Sequence, residues 1–493
     1  MGTEAVKLAA ATLRAMARGG IHDHVGGGYH RYSVDEGWFV PHFEKMLYDQ
    51  AQIAINCLDA RQATGDERFA WMARDIFSYV ARELTGPEGG FYTAEDADSA
   101  IAIDDGAEEP HPPAHAEGAF YVWTAGELRM VLGESFAFIA SHFGVQETGN
   151  VPASLDPHAE FRGKNILAQR HTLTESAQHH SLTPEVANER LLTAIARLHE
   201  VRATRPRPHL DDKVITANNG LMVSALARAH QVLGADENTT NYLAAATRAA
   251  EFVERELFDA TRGVLFRNWR GGRGATEGFA EDYAFWIQAL LDLYEASFAI
   301  RWLRWADQLQ TKMDELFWDS ERGGYFNSAA GDASIVLRLK EDYDGAEPAP
   351  SSVAAMNLLR LSALLHDETR RTQGLRTIEA FRAQWSRAAH AMPQMLCALE
   401  LALEPPRHVV LAGDPSAEDF RALVAVLHEK IGPRRTLLAV DGGENQAWLA
   451  QRAPWLASMK PLGGRATAYV CEEFSCQPPV TTAAELRRTL TAR

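Results

Sequence analysis

The sequence predicts a mainly α protein, an (α/α)6 toroid over residues 1–403 followed by a small α/β region over 404–493. Three observations carry that expectation. Before residue 403, apolar residues recur at three- and four-residue spacing through segment after segment, as they do in helices with one buried face. Short glycine–aromatic stretches interrupt those segments and are similar to one another: GGGYHRY, GGFYTAEDAD, RGVLFRNWR and RGGYFNSA. After Pro405-Pro406 the pattern becomes an alternation of short apolar runs and helical segments, which implies a small parallel-type sheet.

The elements follow in order. MGTEAVKLAAATLRAMARGG carries charges inside its apolar stripe and reads as a helix, not as a secretory leader. GGIHDHVGGGYHRY, Gly19 to Tyr32, packs five glycines and three histidines into fourteen residues. Such a loop is either a tight structural corner or a surface built to meet a ligand. VPHFEKMLYDQ is expected to begin the next helix with Pro41 in its first turn. ANNGLMVSALARAHQVL, NYLAAATRAAEFVERELFD, EDYAFWIQALLDLYEAS, RWLRWADQLQTKMDELFWD and SSVAAMNLLRLSALL are further helices, with Asn218, Glu281 and Ser351 at or near their starts. ELFDATRGVLF and ELFWDSERGGYF match almost residue for residue. A unit of two helices plus a glycine–aromatic turn therefore repeats at roughly 50 to 70 residues. About twelve helices in six hairpins close into a toroid more readily than an uncapped open superhelix. Residues 100–118 are acidic and proline-rich, and 144–183 are irregular, so both read as excursions.

Composition excludes several classes. With 49 basic and 66 acidic residues the net charge is −17, which disfavours nucleic acid and anionic membranes as partners. No apolar run reaches the roughly 20 residues of a membrane span. Four scattered cysteines do not make a disulfide scaffold, and a cytoplasmic location is the default expectation. Cys471 and Cys476, five apart, are compatible with a disulfide, a redox pair or a structural role. No phosphate loop, dinucleotide fingerprint, nucleophile elbow or zinc array is present, and neither a cofactor nor a metal site is expected.

GGIHDHVGGGYHRYSVDEGWFVPHFEKMLYDQ, GGFYTAEDADS, EGAFYVWT, DDKVITANNGLM, EDYAFWIQALLDLYE and YVCEEFSCQPPV resemble, in order and over essentially the whole chain, the thioredoxin-domain-containing protein family related to spermatogenesis-associated protein 20. The resemblance implies a region similar to six-hairpin glycosidases and N-acylglucosamine 2-epimerases, and a thioredoxin-like domain that these residues do not include. It also implies a thioredoxin-like protein as a partner. Three positions depart from the family pattern: Ala168 in place of histidine, Asn218 in place of tryptophan, and Ser351 in place of asparagine. All three fall where side chains are expected to face a cavity.

In such a toroid the helix starts and connecting loops line one mouth. Asp211-Asp212-Lys213, Glu281-Asp282-Tyr283 and Glu341-Asp342-Tyr343-Asp344 each place acidic groups at a helix start, where they cap the helix or converge on a ligand. Glycoside hydrolysis uses two carboxyl groups about 5 to 10 Å apart, one protonated and one ionised. Asp212 and Asp282 are the candidate acid/base groups, with His24 and His42 as alternatives for proton transfer. Arg31, Glu44, Tyr48, Asp96, Asp98, Asn219, Tyr283 and Asp344 are candidates for binding substrate. Glu44 and Tyr48 are expected to share one helix face. Trp38, Tyr92, Trp123, Trp269 and Tyr325 cluster at the glycine turns, where they either stack on sugars or wedge between hairpins. The expected function is recognition of a carbohydrate-like ligand with general acid–base chemistry, hydrolysis or epimerisation. The alternative is a non-catalytic recognition platform working with a thioredoxin-like partner.

Overall fold

A computed structural model of the chain describes residues 2–101, 115–234, 241–331, 335–432, 434–472 and 475–491. Most of the expected excursion at 100–118 lies outside the described residues. The chain is mainly helical, as its periodicity predicts, and divides into two compact units. One comprises the chain up to Gly86 together with Tyr92–Asp212; the other comprises Pro87–Phe91 and the chain from Lys213 onward. The division thus falls at Asp212/Lys213, whereas the sequence reading placed a boundary at 403/404. Proline-rich residues 404–406 mark a change of secondary structure within one compact unit.

The first unit holds α1 (Thr3–Arg18), α2 (Leu47–Thr64), α3 (Glu67–Glu83), α4 (Ala125–Leu132), α5 (Phe136–Phe143), α6 (Leu173–His179) and α7 (Pro184–Arg202). Its short strands are β1 (Tyr32–Ser33), β2 (Pro41–His42), β3 (Lys45–Met46), β4 (Ala94–Glu95), β5 (Asp98–Ala100), β6 (His115–Glu117) and β7 (Leu210–Asp211). The expectation of a helix from Pro41 is corrected here, because the helix starts at Leu47. Residues 41–46 are drawn into two strand pairings, Tyr32 with His42 and Lys45 with Glu95. Tertiary pairing overrides the local helical signal, so Glu44 lies ahead of the helix and shares no helix face with Tyr48.

The glycine-rich loop is a tight corner. The Asp23 carboxylate accepts the Val25 and Gly26 N–H groups at 3.0 Å each. Asp75 of α3 accepts the Gly28 N–H at 2.9 Å, and its carboxylate also meets His22 Nε2 at 3.1 Å. The Gln50 side chain of α2 bonds both the N–H and the carbonyl of Tyr29. Gly28 has φ +75°, and a Cβ there would come within 2.7 Å of the Tyr79 ring.

The second unit contains α8 (Thr216–Leu233), α9 (Tyr242–Glu256), α10 (Ala280–Ser297), α11 (Ile300–Phe317), α12 (Pro350–Leu365), α13 (Glu368–Ala380), α14 (Arg382–Arg387) and α15 (Pro393–Leu403). Helices α8, α10 and α12 are buried around nearly their whole circumference, whereas α9, α11 and α13 bury one face each. An all-round apolar helix needs neighbours on every side, so each hairpin pairs an inner helix with an outer one. Strands β8 (Val214–Ile215), β9 (Phe258–Asp259), β10 (Val264–Leu265) and β11 (Asn268–Trp269) decorate the turns. The repeat seen in the sequence is a repeat of structure. The Asp259 carbonyl accepts the Gly263 N–H at 2.7 Å, and the Asp319 carbonyl accepts the Gly323 N–H at 2.9 Å. Both glycines have left-handed φ, +67° and +77°, a conformation that glycine adopts without strain.

The C-terminal region follows as β12 (Arg407–Ala412), α16 (Glu418–His428), β13 (Arg435–Val440), α17 (Glu444–Ala450), β14 (Thr467–Glu472), β15 (Ser475–Cys476) and α18 (Ala483–Thr491). Its sheet runs β13-β12-β14-β15. The expected parallel pairing holds for β12 with β13, in register Val409 with Leu437, but β14 is antiparallel to both its neighbours. Val409, Leu411, Phe420, Leu437 and Val470 form its buried core with Phe298. Cys471 and Cys476 face each other across β14 and β15 and form a disulfide. Among the described residues, no helix is long and apolar enough to cross a membrane.

Candidate functional site

Two of the three acidic helix starts meet in the second unit. Glu281 and Asp282 open α10, and the segment before α12 supplies Glu341 and Glu347. Arg267, just after the β10 turn, lies among them. Its Nη1 donates to Glu281 Oε1 at 2.6 Å and to Asp282 Oδ2 at 3.1 Å. Its guanidinium also stands 4.8 Å from the centre of the Phe279 ring, a large apolar side chain left 38% exposed. The cluster holds more negative than positive charge. Burial pushes the Glu347 carboxyl up to about 7, with Glu281, Asp282 and Glu341 adding repulsion and Arg267 opposing it. Burial also raises Glu341, helped by Glu281 and its neighbours in the segment.

Asp282 and Glu347 differ in what they can do. Asp282 is fully buried, and burial pushes its carboxyl up to about 7 against the pull of Arg267. Its Oδ1 accepts the Ala217 N–H at 3.0 Å and its Oδ2 accepts the Phe279 N–H at 2.8 Å. With Arg267, both oxygens face donors only, so the hydrogen bonds favour the ionised form. Asp282 therefore holds the starts of α8 and α10 and has no free face for a ligand. Glu347 is half-buried, and its Oε1 is shielded from water yet has no hydrogen-bond partner among the described residues. A buried carboxyl oxygen without a partner is costly unless a proton or a ligand completes it. Sequence reasoning passed over Glu347. The only available signal was its place in the DYDGAEPAPSS segment before a helix start.

Several expected ligand groups are spent on the backbone. Asn219 is fully buried; its amide donates to the Phe91 and Ile215 carbonyls and its Oδ1 accepts the Phe91 N–H. Tyr283 is fully buried, and its hydroxyl accepts the Leu265 N–H at 3.0 Å. Asp344 is buried and accepts the Ala349, Gln394 and Met395 N–H groups at the starts of α12 and α15. His24 Nε2 lies 3.0 Å from the Gly19 carbonyl, so that nitrogen carries the proton, and burial pushes the ring down to about 3. A ring held neutral and bound to a carbonyl is no proton shuttle at neutral pH. Trp123 and Tyr325 are fully buried, as are Ala168, Asn218 and Ser351 or nearly so. The three departures from the family pattern are therefore buried positions, and Ser351 bonds the Tyr325 backbone.

In the first unit, Arg31, His42 and Glu44 do come together. Arg31 Nη1 donates to Glu44 Oε2 at 2.8 Å, and His42 Nε2 stands 3.7 Å from the same oxygen. His42 Nδ1 pairs with Glu117 Oε1 at 2.7 Å, and the exposed Tyr32 ring stacks on His42 at 5.0 Å. Tyr48 is buried and interacts with Arg31. Asp96 is exposed just before β5 and Asp98 is exposed at its first position, and Asp212 is half-buried at the end of that unit after β7.

No family model matches the chain. The chain is 42% identical to spermatogenesis-associated protein 20 of Homo sapiens over 512 aligned positions, which cover 99% of this chain and 63% of that protein. The corresponding protein of Mus musculus is 40% identical over the same coverage. The chain therefore spans less than two thirds of the length of these relatives. Among solved structures, cellobiose 2-epimerase from Bacillus thermoamylovorans is similar with a TM-score of 0.46 at 10% identity, covering 77% of this chain and 72% of that one.

Proposed function

We propose that the cluster around Arg267 binds a polyhydroxylated, carbohydrate-like small molecule and performs general acid–base chemistry on it, with Glu347 as the proton-transfer group. The observation that supports this reading is Glu347 Oε1, a buried oxygen without a partner in a cluster rich in carboxylates. A carboxyl that titrates near neutral pH is poised both to give and to take a proton. Glu281, held by Arg267, and Glu341 offer acceptors for hydroxyl groups. Phe279, and the exposed Tyr343 of the same segment as Glu347, offer ring faces. The reading replaces Asp282 with Glu347 as the acid and keeps Asp282 as a positioning residue. A thermal-shift screen of the chain against mono- and oligosaccharides, followed by turnover assays on every hit, tests it. At least one sugar is expected to stabilise the chain, and Glu347→Gln is expected to retain binding and lose turnover. A panel without hits, or a Glu347→Gln protein that turns over a hit at the parent rate, overturns it.

A non-catalytic recognition role is the second reading. It is favoured by the burial of Asn219, Tyr283 and Asp344 against backbone groups, which leaves few free polar side chains for chemistry. Saturable sugar binding with no turnover in the parent chain would select it.

A further inference from the structure

The first unit carries a charged cleft that the acid–base proposal does not use. Its floor is formed by α7, β3 and the glycine-rich corner. Lys45 is 1% exposed, and its Nζ donates to Asp23 Oδ2 at 2.8 Å and to the Gly27 carbonyl at 2.9 Å. Arg202 grips the same carboxylate through two bonds of 2.8 and 2.9 Å. At the mouth, Arg207 pairs with Glu83 at 2.7 Å and Glu95 at 2.5 Å, and Arg82 pairs with Glu83 at 2.6 Å. Three carboxylates thus face four cations, and the cleft keeps one positive charge in excess.

Two further observations point to a ligand. The hydroxyl of Tyr121, a cleft residue only 7% exposed, is buried and has no hydrogen-bond partner among the described residues. Lys45 Nζ stands 5.2 Å and the Arg202 guanidinium 5.4 Å from the centre of the Tyr121 ring, so the ring borders the charged groups. By contrast, the neighbouring Tyr79 hydroxyl is satisfied, donating to Glu95 at 2.7 Å. The cleft also encloses about 40 Å³. One water needs roughly 10–15 Å³ on that measure, so the space suits a few water molecules or one small ion. A buried hydroxyl donor, unused beside a surplus positive charge, matches an acceptor that carries one negative charge.

We propose that this cleft binds a small, singly charged oxyanion of the carboxylate class, which takes a hydrogen bond from the Tyr121 hydroxyl and balances the excess charge of Arg207 and its neighbours. The side chain of Arg207 is 46% exposed at the mouth, which gives such an anion a way in.

Isothermal titration of the full chain with acetate, formate and inorganic phosphate at low ionic strength tests the proposal. Acetate or formate is expected to bind saturably at about 10 mM or below and to weaken as chloride is added. Tyr121→Phe is expected to weaken binding about tenfold. Its thermal stability should not fall, because the hydroxyl it removes makes no bond within the protein. Arg207→Gln, at the rim, is expected to weaken binding without abolishing folding. Three results each overturn the proposal: no saturable carboxylate binding, which leaves a water-filled cleft; phosphate binding with no carboxylate binding; or a Tyr121→Phe protein with parent affinity.

Discussion

Replacing Glu347 with glutamine keeps the shape of the side chain and removes its titration. In the folded chain the carboxyl is pushed from its ordinary 4.5 up to about 7. The folded state therefore holds that proton more tightly than the unfolded chain does. The stabilisation is fully present below pH 4.5 and is lost as pH rises through about 7. At about 1.4 kcal/mol per unit of pKa difference, ionising Glu347 costs the folded state about 3 kcal/mol. Removing its charge also relieves Glu281 and Asp282, which adds in the same direction. Urea unfolding of parent and Glu347→Gln at about pH 5 and about pH 8 isolates the effect, because all other carboxyls are common to both. The variant is expected to gain on the parent between the two conditions by about 2.5 kcal/mol, since part of the change falls below pH 5. Equal pH dependence in the two proteins would show that Glu347 ionises in the ordinary range. It would then hold no proton at neutral pH and could not serve as the acid.

Asp282→Ala leaves the buried Ala217 N–H and the part-buried Phe279 N–H unbonded; urea unfolding is expected to show a loss of about 3 kcal/mol. Gly28→Ala forces a side chain into left-handed backbone and within 2.7 Å of the Tyr79 ring; a loss of about 2 kcal/mol in the same measurement is expected. Cys471→Ser opens a disulfide whose cysteines are five residues apart; so short a loop limits the loss to about 2 kcal/mol, read as a modest fall in Tm that a reducing agent reproduces in the parent.

Helix positions after residue 213 were legible because α8, α10 and α12 are long and apolar, and Asn218, Glu281 and Ser351 stand within two residues of where those helices begin. The repeat of ELFDATRGVLF and ELFWDSERGGYF was legible because one turn geometry demands one set of residues, an aspartate and a left-handed glycine four positions on. The start of α2 was not legible. Pro41 and its followers carry a helical pattern, and only pairing with β1 and β4 draws them into strands.

The candidate site divides in the same way. Which residue types can carry chemistry is written in the chain, and the acidic helix starts at 281–282 and 341–344 stand out without coordinates, whereas Glu347 does not. Whether such a carboxyl faces a ligand or a backbone N–H depends on what folds against it. Packing of α10 against α8 turned Asp282 inward onto Ala217, whereas Glu347 kept an oxygen without a partner. Local spacing determined where most of the helices and the repeated turns fall, because those follow from bonds between near neighbours, the start of α2 being the exception. The state of each buried carboxyl was decided by the tertiary structure, because desolvation and the donors that oppose it come from residues distant in sequence.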